Sequence, residues 1–318
     1  MTGAPLQGQS QTHRQEQSQA RRQEQSQARR QEQSQTPRQE QSQTPRQVQV
    51  EASALPEVVV RVLGPVEVVG AARPFRRAWC LDLVAYLALH PAGARADAWM
   101  TALWPDRVPP DATRFSTISD ARRALGRASD GSDHLPRSVG RLTFATTVTT
   151  DWAQFRSLAA ARGPGAPAAW RAALELVRGP LLGGLRSTDW AVLEGLGAEM
   201  EGAIVQLALD LAEHDLARTD GRGAERALRR GLLASPYDER LYRLLFLAAD
   251  CQGNPSGVES AMCELVRLVS GELGGHPQMP CGPEDPARWV HPETLAAYRS
   301  VSRRSLLQPP VRQVRRAG

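Results

Sequence analysis

The stretch ATRFSTISDARRALG, residues 112–126, together with Arg127 that follows it, places two hydroxyls, a carboxylate and two arginines along one side of a helical pattern. On a wheel of about 100° per residue, Phe115, Ile118, Ala121 and Leu125 gather on one face, expected to pack inward. Thr113, Ser116, Asp120, Arg123 and Arg127 gather on the other. Guanidinium groups at Arg123 and Arg127 have the geometry to meet guanine edges or phosphates, and Thr113 or Ser116 to bond a phosphate or a base. Asp120 is the discordant residue, since an unpaired carboxylate repels phosphate. Three readings of it stand open: it accepts from a cytosine amine, it pairs with Arg123 at i+3 and orients it, or it marks a helix that has lost this contact. An incidental solvated side chain is the plain alternative.

Such a helix needs a scaffold, and the residues on either side supply one. VVVRVLGPVEVVG, residues 58–70, is β-branched and broken by Gly64 and Pro65, which predicts two short strands joined by a turn. In PFRRAWCLDLVAYLALHP, Phe75, Trp79, Leu83 and Leu87 recur at helical spacing until Pro91 stops the helix. ARADAWMTALWPD predicts a second helix with Trp99 and Leu103 facing inward, and Asp111 is the expected N-cap of the third. SVGRLTFATTVTTD alternates Leu142, Phe144 and Val148 with polar residues around Gly140, as a terminal hairpin would. Strands, three helices and a hairpin predict a winged helix-turn-helix, whose third helix presents its outer face to a major groove.

From Asp151 onward the pattern is read as helical throughout. Gly223, Glu225, Ala227 and Leu228 are matched 34 residues later by Gly257, Glu259, Ala261 and Met262, the period of a tetratricopeptide helix pair. The fold class expected is mostly α: an N-terminal winged helix-turn-helix followed by a tetratricopeptide-like solenoid. Four segments follow: a low-complexity arm over 1–56, a winged helix over 57–150, helical repeats over 151–302 and an Arg-rich tail over 303–318. The arm repeats QEQSQARR and QEQSQTPR with almost no apolar residue, too little to offset chain entropy, so disorder is expected there.

All 39 basic residues of the 318 are arginine. Residues 58–150 hold 12 Arg against 8 acids, whereas 151–300 hold 15 against 20, a contrast that suggests different partners for the two halves. The apolar runs are shorter than the roughly 20 residues a spanning helix needs, so no membrane span and a cytoplasmic location are expected. Cys80, Cys251, Cys263 and Cys281 form no CxxC pair, and His276 and His291 complete no zinc spacing; reduced structural cysteines and no bound metal are expected. No catalytic grouping stands in a recognisable context: His90 and His214 lie near helix ends, and Glu194, Glu199 and Glu201 read as a solvated helix face. With no lysine a standard P-loop is precluded, and no cofactor is expected.

VRVLGPVEV, AYLALHP, TALWPD, ATRFSTISDARRAL, TDWAQF, RGPLL and SPYDERLYRLLFLA, in this order across residues 58–300, resemble the SARP-like bacterial transcriptional activators, which join a winged helix to a tetratricopeptide-like bacterial transcriptional activator domain. The resemblance implies a non-enzymatic regulator that binds promoter duplex DNA. Its helical domain would serve a homodimer or contact RNA polymerase or other proteins. The DNA-facing candidates are then Thr113, Arg114, Ser116, Thr117, Asp120, Arg123 and Arg127 on or just after the reading helix, and Arg141 on the hairpin. Relatives of this pattern also carry ATPase or phosphopeptide-binding modules, and the same domain pair occurs in membrane-linked proteins. The alternative is therefore a protein-interaction module, or the cytoplasmic regulatory part of such a protein, without sequence-specific DNA binding.

Overall fold

Two valine-rich strands, β1 (Val58–Arg61) and β2 (Glu67–Val69), pair antiparallel with Val60 opposite Val68. In the computed structural model, which describes residues 56–274 and 288–307, the turn between them needs Gly64. Its φ is +149°, and a Cβ there would sit 2.9 Å from the Cβ of Arg178. Helix α1 (Ala78–Leu89) buries Cys80, Leu83, Val84 and Leu87, while Phe75 lies ahead of its first turn. A two-residue strand, β3 (Ala94–Arg95), leads into α2 (Ala96–Leu103), where Trp99 and Leu103 turn inward as expected and Trp104 joins them.

Helix α3 (Asp111–Leu125) departs from the wheel in two respects. Pro110, without a side-chain bond, occupies the N-cap position, and Asp111 instead stands in the first turn and pairs with Arg114 at 3.1 Å. The buried stripe is Thr117, Ala121, Ala124 and Leu125, with Phe115 left 60% exposed. Small residues at 121 and 124 let α3 approach α1 closely, which rotates the helix away from the bulkier Phe115.

The expected hairpin around Gly140 is not formed. β4 (Arg141–Leu142) pairs antiparallel with β3, and β5 (Val148–Thr150) pairs parallel with β1, giving one sheet of order β2-β1-β5 and a separate β3-β4 pair. The intervening chain is held by its own bonds, Ala145 N–H to the His134 carbonyl at 2.9 Å and the His134 ring to the Thr147 hydroxyl at 2.8 Å. β5 thereby covers the free edge of β1, whose Val58 and Val60 are fully buried.

Beyond this come α4 (Asp151–Ala159), α5 (Ala166–Glu175), α6 (Asp189–Leu193), α7 (Leu196–Leu216), α8 (Gly221–Ala234), α9 (Glu239–Cys251), α10 (Pro255–Gly274) and α11 (Pro292–Leu307). The architecture is mostly helical, and α7, α8, α9 and α10 pack each on the next. The matched positions fall alike on α8 and α10. Ala227, Leu228, Ala261 and Met262 are all buried. Gly223 and Gly257 donate their backbone N–H to the side chains of Asp220 (2.8 Å) and Asn254 (3.0 Å), so the capping residues repeat with the same period as the core.

The C-terminal half is not helical throughout. RGPLLGG, residues 178–184, combines helix breakers and runs instead along the β1–β2 turn, with Arg178 N–H to the Leu63 carbonyl (2.7 Å), Leu182 N–H to Val62 (3.0 Å) and Val66 N–H to Gly183 (2.8 Å). At the head of α4, the buried Asp151 carboxylate accepts from the N–H groups of Val62 (2.7 Å) and Leu63 (3.1 Å). Burial pushes its pKa up, against the opposing pull of those bonds and of Arg178. Sheet and helices are thus stapled across residue 150. The N-terminal arm, Cys281, His276 and the chain beyond Leu307 lie outside the described residues. Cys80 and Cys251 are free thiols, but Cys263 is disulfide-bonded, which corrects the expectation that every cysteine is reduced. Glu194 is more than a solvated face residue, since it receives His90 Nε2 at 2.9 Å.

Candidate nucleic-acid interface

The side chains on the outer face of α3 are organised around Asp120. One carboxylate oxygen meets Arg123 Nη1 at 2.8 Å and the other meets Arg77 Nη1 at 3.3 Å. Arg77 also reaches the Ser116 hydroxyl at 3.4 Å, which donates to the Thr113 carbonyl at 3.0 Å. The i+3 pairing that the sequence left open is present, and a second guanidinium that the sequence did not suggest completes it. A carboxylate held between two cations leaves the cluster positive, which removes the objection that Asp120 would repel phosphate.

Arg77 belongs to a strap of chain, residues 72–77, that leads into α1. The strap is fixed to the end of α3 by Ala72 N–H to the Leu125 carbonyl (3.3 Å) and Arg73 N–H to Ala124 (3.0 Å). Gly126 turns the chain at φ +85°, where a Cβ would meet that of Ala72 at 2.5 Å. The strap and α3 enclose a groove lined by Arg73, Arg76, Arg77 and Arg123, with Asp120 the one acid among its lining residues. Burial pushes the Cys80 thiol at its floor up to about 11, helped by Asp120 and opposed by Arg77, so it is a neutral wall.

The other sequence candidates disperse. Thr117 is 2% exposed and gives its hydroxyl to the Thr113 carbonyl, so it is a packing residue and leaves the contact set. Arg114 pairs with Asp111 and lies 4.7 Å over the Phe115 ring. Arg127 follows the helix and meets Asp133 at 3.3 Å. Arg141 sits on β4 rather than a terminal hairpin, and its guanidinium is bound to the Ala92 and Gly93 carbonyls at 3.0 and 2.9 Å. Thr113, Ser116, Asp120 and Arg123 stay together. Sequence reasoning missed Arg73, Arg76 and Arg77; the signal available was the run Arg-Pro-Phe-Arg-Arg immediately ahead of an apolar helix. Among the described residues no group of three His, Cys, Asp or Glu side chains could hold a metal ion, and no helix is long and apolar enough to cross a membrane.

No curated protein matches this sequence. Among solved structures, Mycobacterium tuberculosis EmbR in complex with a low affinity phosphopeptide is similar at a TM-score of 0.49 and 22% identity, over 80% of this chain. The present chain covers 66% of the length of that one. Residues 150–280 match the family described as the bacterial transcriptional activator domain. The helical part of the resemblance to SARP-like activators is thereby borne out: residues 150–280 are similar to a bacterial transcriptional activator domain.

Proposed function

We propose that the protein is a DNA-binding transcriptional regulator in which the α1–α3 unit acts as a winged helix and α3 reads duplex DNA. The observation that carries this reading is the juxtaposition, on one outer surface, of Arg123 held by Asp120 and three further arginines of the strap. A helix with an ordered guanidinium, bordered by cations, matches the division of labour in DNA recognition, where base edges specify and phosphates position. No bond breaks in this function. The helical repeats then serve as the contact to a second copy or to RNA polymerase, in keeping with an activator domain, and the protein works in the cytoplasm.

Fluorescence anisotropy on duplexes selected from a random library, compared with unselected duplexes across a salt series, tests the reading. Binding that weakens steeply with salt and prefers the selected duplex is expected. No binding at low salt overturns it and leaves a protein-interaction module in its place.

A further inference from the structure

Arg77 and Arg123 are both engaged by Asp120, but Arg73 and Arg76 on the same groove have no ion-pair partner among the described residues. Both are exposed. An exposed, unpaired arginine on a mobile loop would mean little. This strap, however, is tied through its own backbone to the last turn of α3, so the chain that carries the two arginines is fixed beside the outer face of that helix. A close cluster of like charges carries a repulsive cost in the free protein, and an anion relieves it.

We propose that Arg73 and Arg76 form a phosphate clamp that grips the backbone of the duplex whose groove α3 enters. The clamp rests on the DNA-binding reading above and adds a contact that α3 does not itself supply. Its ligand is the phosphodiester of DNA, because the groove adjoins the base-reading face and offers cations without any donor arrangement specific to a base. Base preference belongs to Arg123, and register along the backbone belongs to the strap.

The test compares Arg73→Ala/Arg76→Ala with a control of equal charge change, Arg222→Ala/Arg226→Ala, whose arginines are exposed on α8 away from the groove. For two lost phosphate contacts, the slope of log K against log salt becomes shallower by about 1.8. The ratio of selected to unselected binding stays within about twofold, since phosphate contacts carry no direct base readout. The control keeps the wild-type slope, and Arg73→Lys/Arg76→Lys restores most of it. Overlaid melting curves establish that each variant is folded, and Arg76→Ala alone, losing about half the slope change, gives a second reading. An unchanged slope in the groove variant, or an equal change in the α8 control, overturns the clamp while the DNA reading stands. A wild type that binds no duplex at low salt overturns both.

Discussion

Helices α3 and α8 both carry an Arg-Arg pair, at 122–123 and 229–230, and they use it in opposite ways. In α8, Arg229 reaches Glu264 on α10 at 2.5 Å, and Arg230 reaches Glu175 at the end of α5 and the Val177 carbonyl. Both guanidiniums are spent as braces between neighbouring helices. In α3, Arg122 is likewise spent, donating to the Leu135 and Pro136 carbonyls. Among the described residues Arg123 is held only by Asp120 of its own helix, and it remains on the surface. The same dipeptide therefore builds a solenoid in one place and leaves a charged, solvent-facing surface in the other. What separates them is whether a neighbouring element stands within a side chain's reach.

The comparison breaks most readily at the solenoid core. Ala227 is 3% exposed where α8 meets its neighbours, so Ala227→Arg is expected to cost about 1–3 kcal/mol by overpacking alone, read by urea denaturation. An unchanged midpoint would remove the repeat packing. Arg123→Ala should cost about 1–3 kcal/mol of discrimination at one base pair, seen as a relaxed preference among selected duplexes. The same change at Arg122 should appear as lost stability instead. At the seam between the two regions, Asp82 on α1 is buried and accepts from the Arg186 N–H at 3.3 Å; burial raises its pKa to about 6, against that bond. The unfolded chain loses this proton first, so stability from this group is highest below about pH 4 and declines up to about pH 6. Asp82→Asn should therefore melt above the wild type at pH 7, with the gap closing as the pH falls towards 4; a constant gap would refute the assignment.

Smaller effects sharpen the contrast. Arg229→Ala should cost at most about 1 kcal/mol, because its pair with Glu264 is solvent-screened, and leave duplex binding within twofold. Asp120→Ala should raise affinity for unselected DNA slightly and narrow the ratio of selected to unselected binding, because Arg77 and Arg123 lose the group that orients them. If that ratio is unchanged, Asp120 orients nothing that DNA reads.

Much of the scaffold was legible beforehand. The Val-rich strands, the Trp99 and Leu103 face and the 34-residue spacing of Ala227 and Ala261 all appear where local pattern placed them, because backbone preference and the periodicity of apolar residues are properties of the chain itself. The partner of a strand is not such a property. Leu142 and Val148 alternate like a hairpin but pair with Ala94 and Val58, since register depends on which edge is free once the helices have packed. The face of α3 was read correctly at Ala121 and Leu125 but not at its margin, as hydrophobicity favoured Phe115 while close packing on α1 selected Thr117 and Ala124.

The site divides along the same line. The sequence determined that α3 would carry arginines on a polar side, and even that Asp120 could reach Arg123, because an i+3 separation is fixed by helical geometry. Only the tertiary structure brought Arg73, Arg76 and Arg77, about forty residues away in the chain, onto the same surface. The strap's hydrogen bonds to Ala124 and Leu125 and the tight turn at Gly126 set that proximity, and bonds between distant backbone groups leave no periodic trace in the residues that make them.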